Sequence, residues 1–249
     1  MKTKKKPVVR QYKKALPQFP AKLRQYTGYL KPSVKLPQPP DVLDIYKKVD
    51  RWPLDGNAHY GDCTMAAAAH AIHLWNIITH QDNPVPITSV IVDEYLKLSR
   101  GADMAGLIES EVLKKWHRTG LWGNKILGYT PINVHDIDLI KQAAYLYGLV
   151  YVGVQITKSA NLQWKQKKAW SLVRDWKKEV PLGGHAVPIV GYDRTGFYVV
   201  TWGTLQKMTY EWWHTYGEEA WAVFPSQLKE AGGTDHLTLE QLRADLKLV

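Results

Sequence analysis

The stretch at 54–64, LDGNAHYGDCT, contains Cys63, the single cysteine of a 249-residue chain. Pro53, Gly56 and Gly61 punctuate the preceding residues, so 51–62 reads as a loop. A helix is predicted over 63–79, where small and apolar residues recur on several faces. Asp62 or Cys63 then sits at the helix start, where backbone N–H groups lack intrahelical acceptors. A thiol placed there meets the positive end of the helix dipole, which lowers its pKa and favours the thiolate. One cysteine makes neither an intramolecular disulfide nor a multi-cysteine zinc site. A single cysteine is most often a small buried hydrophobe, so a catalytic reading needs partners.

Working outward, the partners are His185 and Asn57. His185 opens HAVPIVGY (185–192) directly after Gly183 and Gly184, which allow close backbone approach. The run is otherwise apolar, so its polar first residue is expected at a strand end facing a cleft. Asn57, six residues before Cys63, has an amide that can donate to a developing oxyanion beside the Cys63 N–H. Further helices are predicted over 87–98, 107–118, 136–147 and 238–248, with a short helix or turn over 41–50. Strands are predicted over 149–156, 185–192, 196–202 and 220–224, from their β-branched and aromatic residues. Helices come first and strands second, which predicts an α+β fold with the two classes segregated.

In this order the segments resemble the core of papain-like cysteine peptidases over roughly 52–224. NAHYGDC (57–63) resembles the family's segment from oxyanion amide to nucleophile, and HAVPIVGY its catalytic-histidine strand. VVTWG (199–203) is similar to the strand ending in the family's Asn-Ser-Trp-Gly, and GEEAWAVF (217–224) to its closing strand. LDGNAHYGDCT, GGHAVPIVGYD and VVTWG together also resemble uncharacterised papain-like proteins of bacteria and phages. The resemblance implies a two-lobed fold, with a helical lobe over about 41–147 and an antiparallel β-rich lobe over about 148–249. It implies catalysis by Cys63 and His185, with Asn57 in place of the family's oxyanion glutamine. The family's orienting Asn falls on Val200 or Thr201. Valine cannot orient an imidazole, whereas the Thr201 hydroxyl can accept from His185 weakly. Trp202 matches the ring that shields the His–Asn bond from water.

The net charge of +10 is localised. Residues 1–40 hold eleven Lys/Arg, no acid and seven of the fourteen prolines, which leaves 41–249 at −1. This segment reads as a basic, proline-rich extended arm that buries little, with Tyr12, Tyr26 and Tyr29 as anchors. It is either a solvated tail or a polyanion-binding element working through counterion release. No apolar run reaches the ~20 residues that span a bilayer, and the basic N-terminus does not read as a secretory signal. A cytoplasmic or virion-associated protein is expected, with no membrane contact.

Other polar residues are assigned structural roles. His70 and His73 lack a carboxylate at ligand spacing and read as core or surface histidines, so neither metal nor cofactor is expected. His70 is on the Cys63 face but ~10.5 Å along the helix, too far for a catalytic base. Asp136 and Asp138 read as capping and dipole residues. Glu218 and Glu219 read as a solvated turn. Trp164, Trp170 and Trp176 read chiefly as packing, with a subsite beside His185 as the alternative. The basic residues around them favour an acidic ligand or partner.

The expectation is a thiol hydrolase, either a cysteine peptidase or an amidase, using Cys63, His185, Thr201 and Asn57 on a peptide or other amide. The alternatives are a non-catalytic papain-like structural or interaction module, such as a phage virion component, and a nucleic-acid binder working through residues 1–40.

Overall fold

The β-branched and aromatic runs assemble into one antiparallel sheet, seen in a computed structural model that describes residues 15–230 and 234–249. Its strands are β1 (Ile126–Ile132), β2 (Val150–Thr157), β3 (Pro181–Asp193), β4 (Gly196–Thr201), β5 (Thr204–Thr209) and β6 (Gly217–Pro225). They lie in the order β1-β6-β2-β3-β4-β5, every neighbouring pair antiparallel. The central strands are apolar and almost wholly buried, as expected of strands covered on both faces. The helices are α1 (Cys63–Thr79), α2 (Thr88–Leu98), α3 (Glu109–Arg118), α4 (Ile137–Tyr147), α5 (Lys158–Lys165), α6 (Tyr210–Tyr216), α7 (Gln227–Glu230) and α8 (Leu239–Leu246). The architecture is α+β, as predicted.

α1 is the buried helix that carries the site. Ala66–Ala69 are all buried, and these short side chains let α1 lie close to β3. Tyr151 on β2 fixes its first turn by donating its hydroxyl to the Thr64 carbonyl at 2.6 Å.

The segregation of helices from strands is incomplete. β1 precedes α4 and pairs with β6, while α5 and α6 interrupt the later strands. β1 (ILGYTPI) contains Pro131, which argues against a strand in sequence; the sheet edge tolerates a residue that cannot donate. The solvated-turn reading of Glu218 and Glu219 is corrected: both lie in β6. Glu219 is fully buried and accepts from Trp221 Nε1 at 2.8 Å, and Glu218 accepts from Gln155. Asp136 does cap α4, accepting from the Leu139 N–H at 2.9 Å.

The expectation that the arm buries little is also corrected. Residues 15–40 hold one short 3-10 helix (Tyr26–Tyr29) and little other regular structure, yet Leu23, Tyr26 and Tyr29 are buried. The Tyr26 and Tyr147 hydroxyls are 2.9 Å apart, and Tyr29 donates to Asp245 at 2.9 Å. Thr130 on β1 donates to the Arg24 carbonyl, and Phe19 stacks on Trp221. The aromatic rings supply the apolar area that the prolines and lysines lack. Lys2, Lys4, Lys5, Lys6, Arg10, Tyr12, Lys13 and Lys14 lie outside the described residues. No helix among the described residues is long and apolar enough to cross a membrane.

Candidate active site

Cys63 is the first residue of α1, and its Sγ accepts the Ala186 N–H at 3.4 Å. That contact joins the helix start to β3 one residue past His185. His185 and Cys63 line one small cavity with Asn57, Val200, Thr201 and Trp202. Its volume is about 10 Å³, close to the minimum that holds one water. Cys63 is 4% exposed and His185 2% exposed.

The imidazole is held on two sides. Its Nε2 lies 2.8 Å from Thr201 Oγ1 at the end of β4. Trp202 stacks on the ring, with centroids 4.7 Å apart and planes 15° apart. The β4–β5 hairpin explains how Trp202 reaches that position. Trp202 and Gly203 are its two turn residues, with φ of 45° and 71°. Two-residue hairpins favour positive φ at both turn positions. A tryptophan there is strained, and such strain is characteristic of functional sites. Of the two candidates for the orienting position, Thr201 bonds the imidazole and Val200 adds only apolar wall.

Asn57 is buried, and its Nδ2 donates to Asp62 Oδ1 at 3.2 Å. An amide nitrogen carries two hydrogens, so one remains for another acceptor. Asp62 is the residue before α1, yet its carboxyl does not cap the helix and turns to Asn57 instead. Burial pushes the Asp62 carboxyl up to about 8, outweighing the Asn57 bond, which works in the opposite direction. At neutral pH it is therefore protonated and puts no second negative charge beside the thiol. Gly56, at φ 88°, makes room for it: a Cβ there would lie 2.3 Å from Asp62 Oδ2.

The sequence reading missed the link from Asp62 to Asn57. The Asp55–Gly56 turn pair was its one visible signal. His70 also lines the cavity from one side, within 3.3 Å of the buried Asp55 carboxylate and 2.8 Å of the Pro53 carbonyl. Among the described residues, no group of three or more His, Cys, Asp or Glu could hold a metal ion. Of the three tryptophans, Trp170 is fully buried, as a packing role requires. Trp164 is half-buried and meets Trp202 edge-on at 5.0 Å.

α1, which begins at Cys63, packs against β3, which carries His185, and structural comparison finds a similar fold among solved cysteine proteases. The chain is similar to xylellain, a cysteine protease from Xylella fastidiosa, at 19% identity and a TM-score of 0.67, over 90% of this chain and 99% of that one. It is similar to the cysteine protease and lectin-like domains of Cwp84, a surface-layer-associated protein of Clostridium difficile, at 12% identity and 0.58, over 87% of this chain and 57% of that one. It is also similar to procathepsin B S9 from Trypanosoma congolense, at 10% identity and 0.56, over 88% of each chain. Neither a family model nor a curated protein matches the sequence. At these identities the likeness defines the fold.

Proposed function

We propose that this protein is a thiol-dependent hydrolase of amide bonds, a cysteine peptidase or amidase. The observation that carries the reading is the shared cavity. Cys63 opens a helix there, and His185 has its Nε2 occupied by Thr201. That arrangement leaves Nδ1 as the nitrogen that exchanges a proton with the thiol. In the catalytic cycle, Cys63 attacks the carbonyl carbon as thiolate. The resulting oxyanion accepts from the Cys63 N–H and from the second Asn57 amide hydrogen. His185 then protonates the leaving amine, giving a thioester on Cys63. Water, deprotonated by His185, attacks the thioester and restores the thiol.

Thr201 serves as a weakened third member that holds the imidazole, and Trp202 keeps water from the His185–Thr201 bond. A missing amide at this position reduces turnover without abolishing it, since the Cys–His pair carries the chemistry. Hydrolysis of a broad panel of peptides and cell-wall amides by the wild type and by Cys63→Ala tests the proposal. The wild type should cleave members of the panel that Cys63→Ala leaves intact. Equal cleavage by both would overturn the thiol mechanism.

A further inference from the structure

Behind the Trp164–Trp202 pair lies a groove of about 530 Å³, lined by Trp164, Lys165, Lys167, Lys168, Tyr198 and Lys207, among others. Trp164 is shared between two environments. It makes a T-shaped contact with Trp202, which stacks on His185, and also forms part of the groove wall. Lys207 is engaged by Asp193. Lys165, Lys167 and Lys168 are exposed and have no salt bridge among the described residues. Three uncompensated cations therefore converge beside two aromatic rings, in a region of chain (41–249) whose net charge is −1.

The loop that presents them is fixed. Gln206 Nε2, on a buried side chain, donates to the Lys168 carbonyl at 2.8 Å. The Lys168 N–H reaches the Gln163 carbonyl at 2.8 Å, and the Trp170 N–H reaches the Lys207 carbonyl at 2.8 Å. Lys167 adopts φ 57°, a left-handed conformation rare for a residue with a Cβ. Such geometry persists only where the surroundings enforce it. A pre-ordered loop loses less entropy on binding than a mobile one.

We propose that this groove binds an acidic segment of a polypeptide substrate whose scissile bond lies at Cys63. The inference rests on the hydrolase reading for the word substrate, while the binding itself stands on the groove alone. Carboxylates pair with the three lysines, and Trp164 and Tyr198 take the apolar parts of the segment. Extended polypeptide running past Trp202 connects the two sites.

The test uses full-length protein carrying Cys63→Ala, which cannot turn over, so its outcome is independent of whether the wild type hydrolyses anything. A fluorescent peptide rich in Glu and a matched peptide with Gln at those positions are titrated against it. The acidic peptide should bind about tenfold more tightly, as three exposed ion pairs of several tenths of a kcal/mol each imply. Adding K165E, K167E and K168E should abolish that preference. Adding K22E, K35E and K247E, which makes the same charge change elsewhere, should leave most of it. Equal affinity for the two peptides, or equal loss in both triple variants, would overturn the proposal. Equally tight, groove-dependent binding of a duplex DNA of matched charge would overturn the assignment to a polypeptide.

Discussion

Thr201 Oγ1 stands 2.8 Å from His185 Nε2, at a position buried to 2% exposure. A hydroxyl both donates and accepts, so this bond persists whichever tautomer the imidazole adopts. An amide oxygen only accepts, and so would fix a single tautomer.

Thr201→Val should therefore lower kcat/KM about tenfold, near the upper range of a single neutral hydrogen bond. Thr201→Ser keeps the hydroxyl and should retain most of the rate. The comparison is made on any substrate that the wild type hydrolyses, with thermal unfolding as a control. Valine and serine variants of equal rate would show that the hydroxyl does not orient the ring.

The Asp62 carboxyl gives a pH signature. Its folded pKa is raised to about 8, against ~3.9 for an unfolded aspartate. Between these values the folded protein holds a proton that the unfolded chain releases. Stability therefore falls as pH rises through this window, by up to ~1.4 kcal/mol per pH unit from this group. Asp62→Asn mimics the neutral acid and removes that dependence. Its melting temperature should match the wild type near pH 4 and exceed it increasingly up to pH 8. Parallel curves would show that Asp62 ionises normally. Above pH 8, ionised Asp62 also places a like charge beside the Cys63 thiolate, so activity should decline there in the wild type and less in Asp62→Asn.

The N-terminal segment is part of the folded unit. Tyr26 is fully buried against Tyr147 and Phe224, and its hydroxyl bonds Tyr147. Tyr26→Ala should cost about 3–5 kcal/mol, the usual range for deleting a buried large ring. Deleting residues 1–40 should lower the melting temperature by more than that substitution does. A truncated protein that unfolds at the wild-type temperature would show that the segment contributes nothing to the core.

Sequence revealed most of what hydrophobic periodicity and turn chemistry encode. α1 was legible to the residue, and α2, α4, β2, β4 and β6 to within a few, because their apolar patterns are strong. β1 was hidden by Gly128 and Pro131, which are tolerated at a sheet edge. β5 (TLQKMT) was hidden by its polarity, since Gln206 and Met208 face inward on an edge strand. α5 and α6 span eight and seven residues, about two turns each, too few for a helical period to stand out. In the site, Cys63 was visible because it opens α1, and His185 because it follows a glycine pair; the expectation that His185 opens its strand is corrected, since β3 begins at Pro181 and His185 is its fifth residue. The Asp62–Asn57 bond was not visible, because it depends on how the 55–62 loop folds back through positive φ at Asp55 and Gly56. The docking of residues 15–40 was missed because proline and charge dominate their composition, while two tyrosines supply the burial.

The most direct test of the thiol–imidazole pairing is the rate of iodoacetamide addition to Cys63 in native protein at pH 6, compared with His185→Ala. A thiolate kept by the imidazole should make the wild type react at least ~10-fold faster, since the thiolate is the reacting species and a free thiol of pKa ~8.5 is almost wholly protonated at that pH. Equal rates in the two proteins, or labelling of Cys63 only after denaturation, would contradict the account.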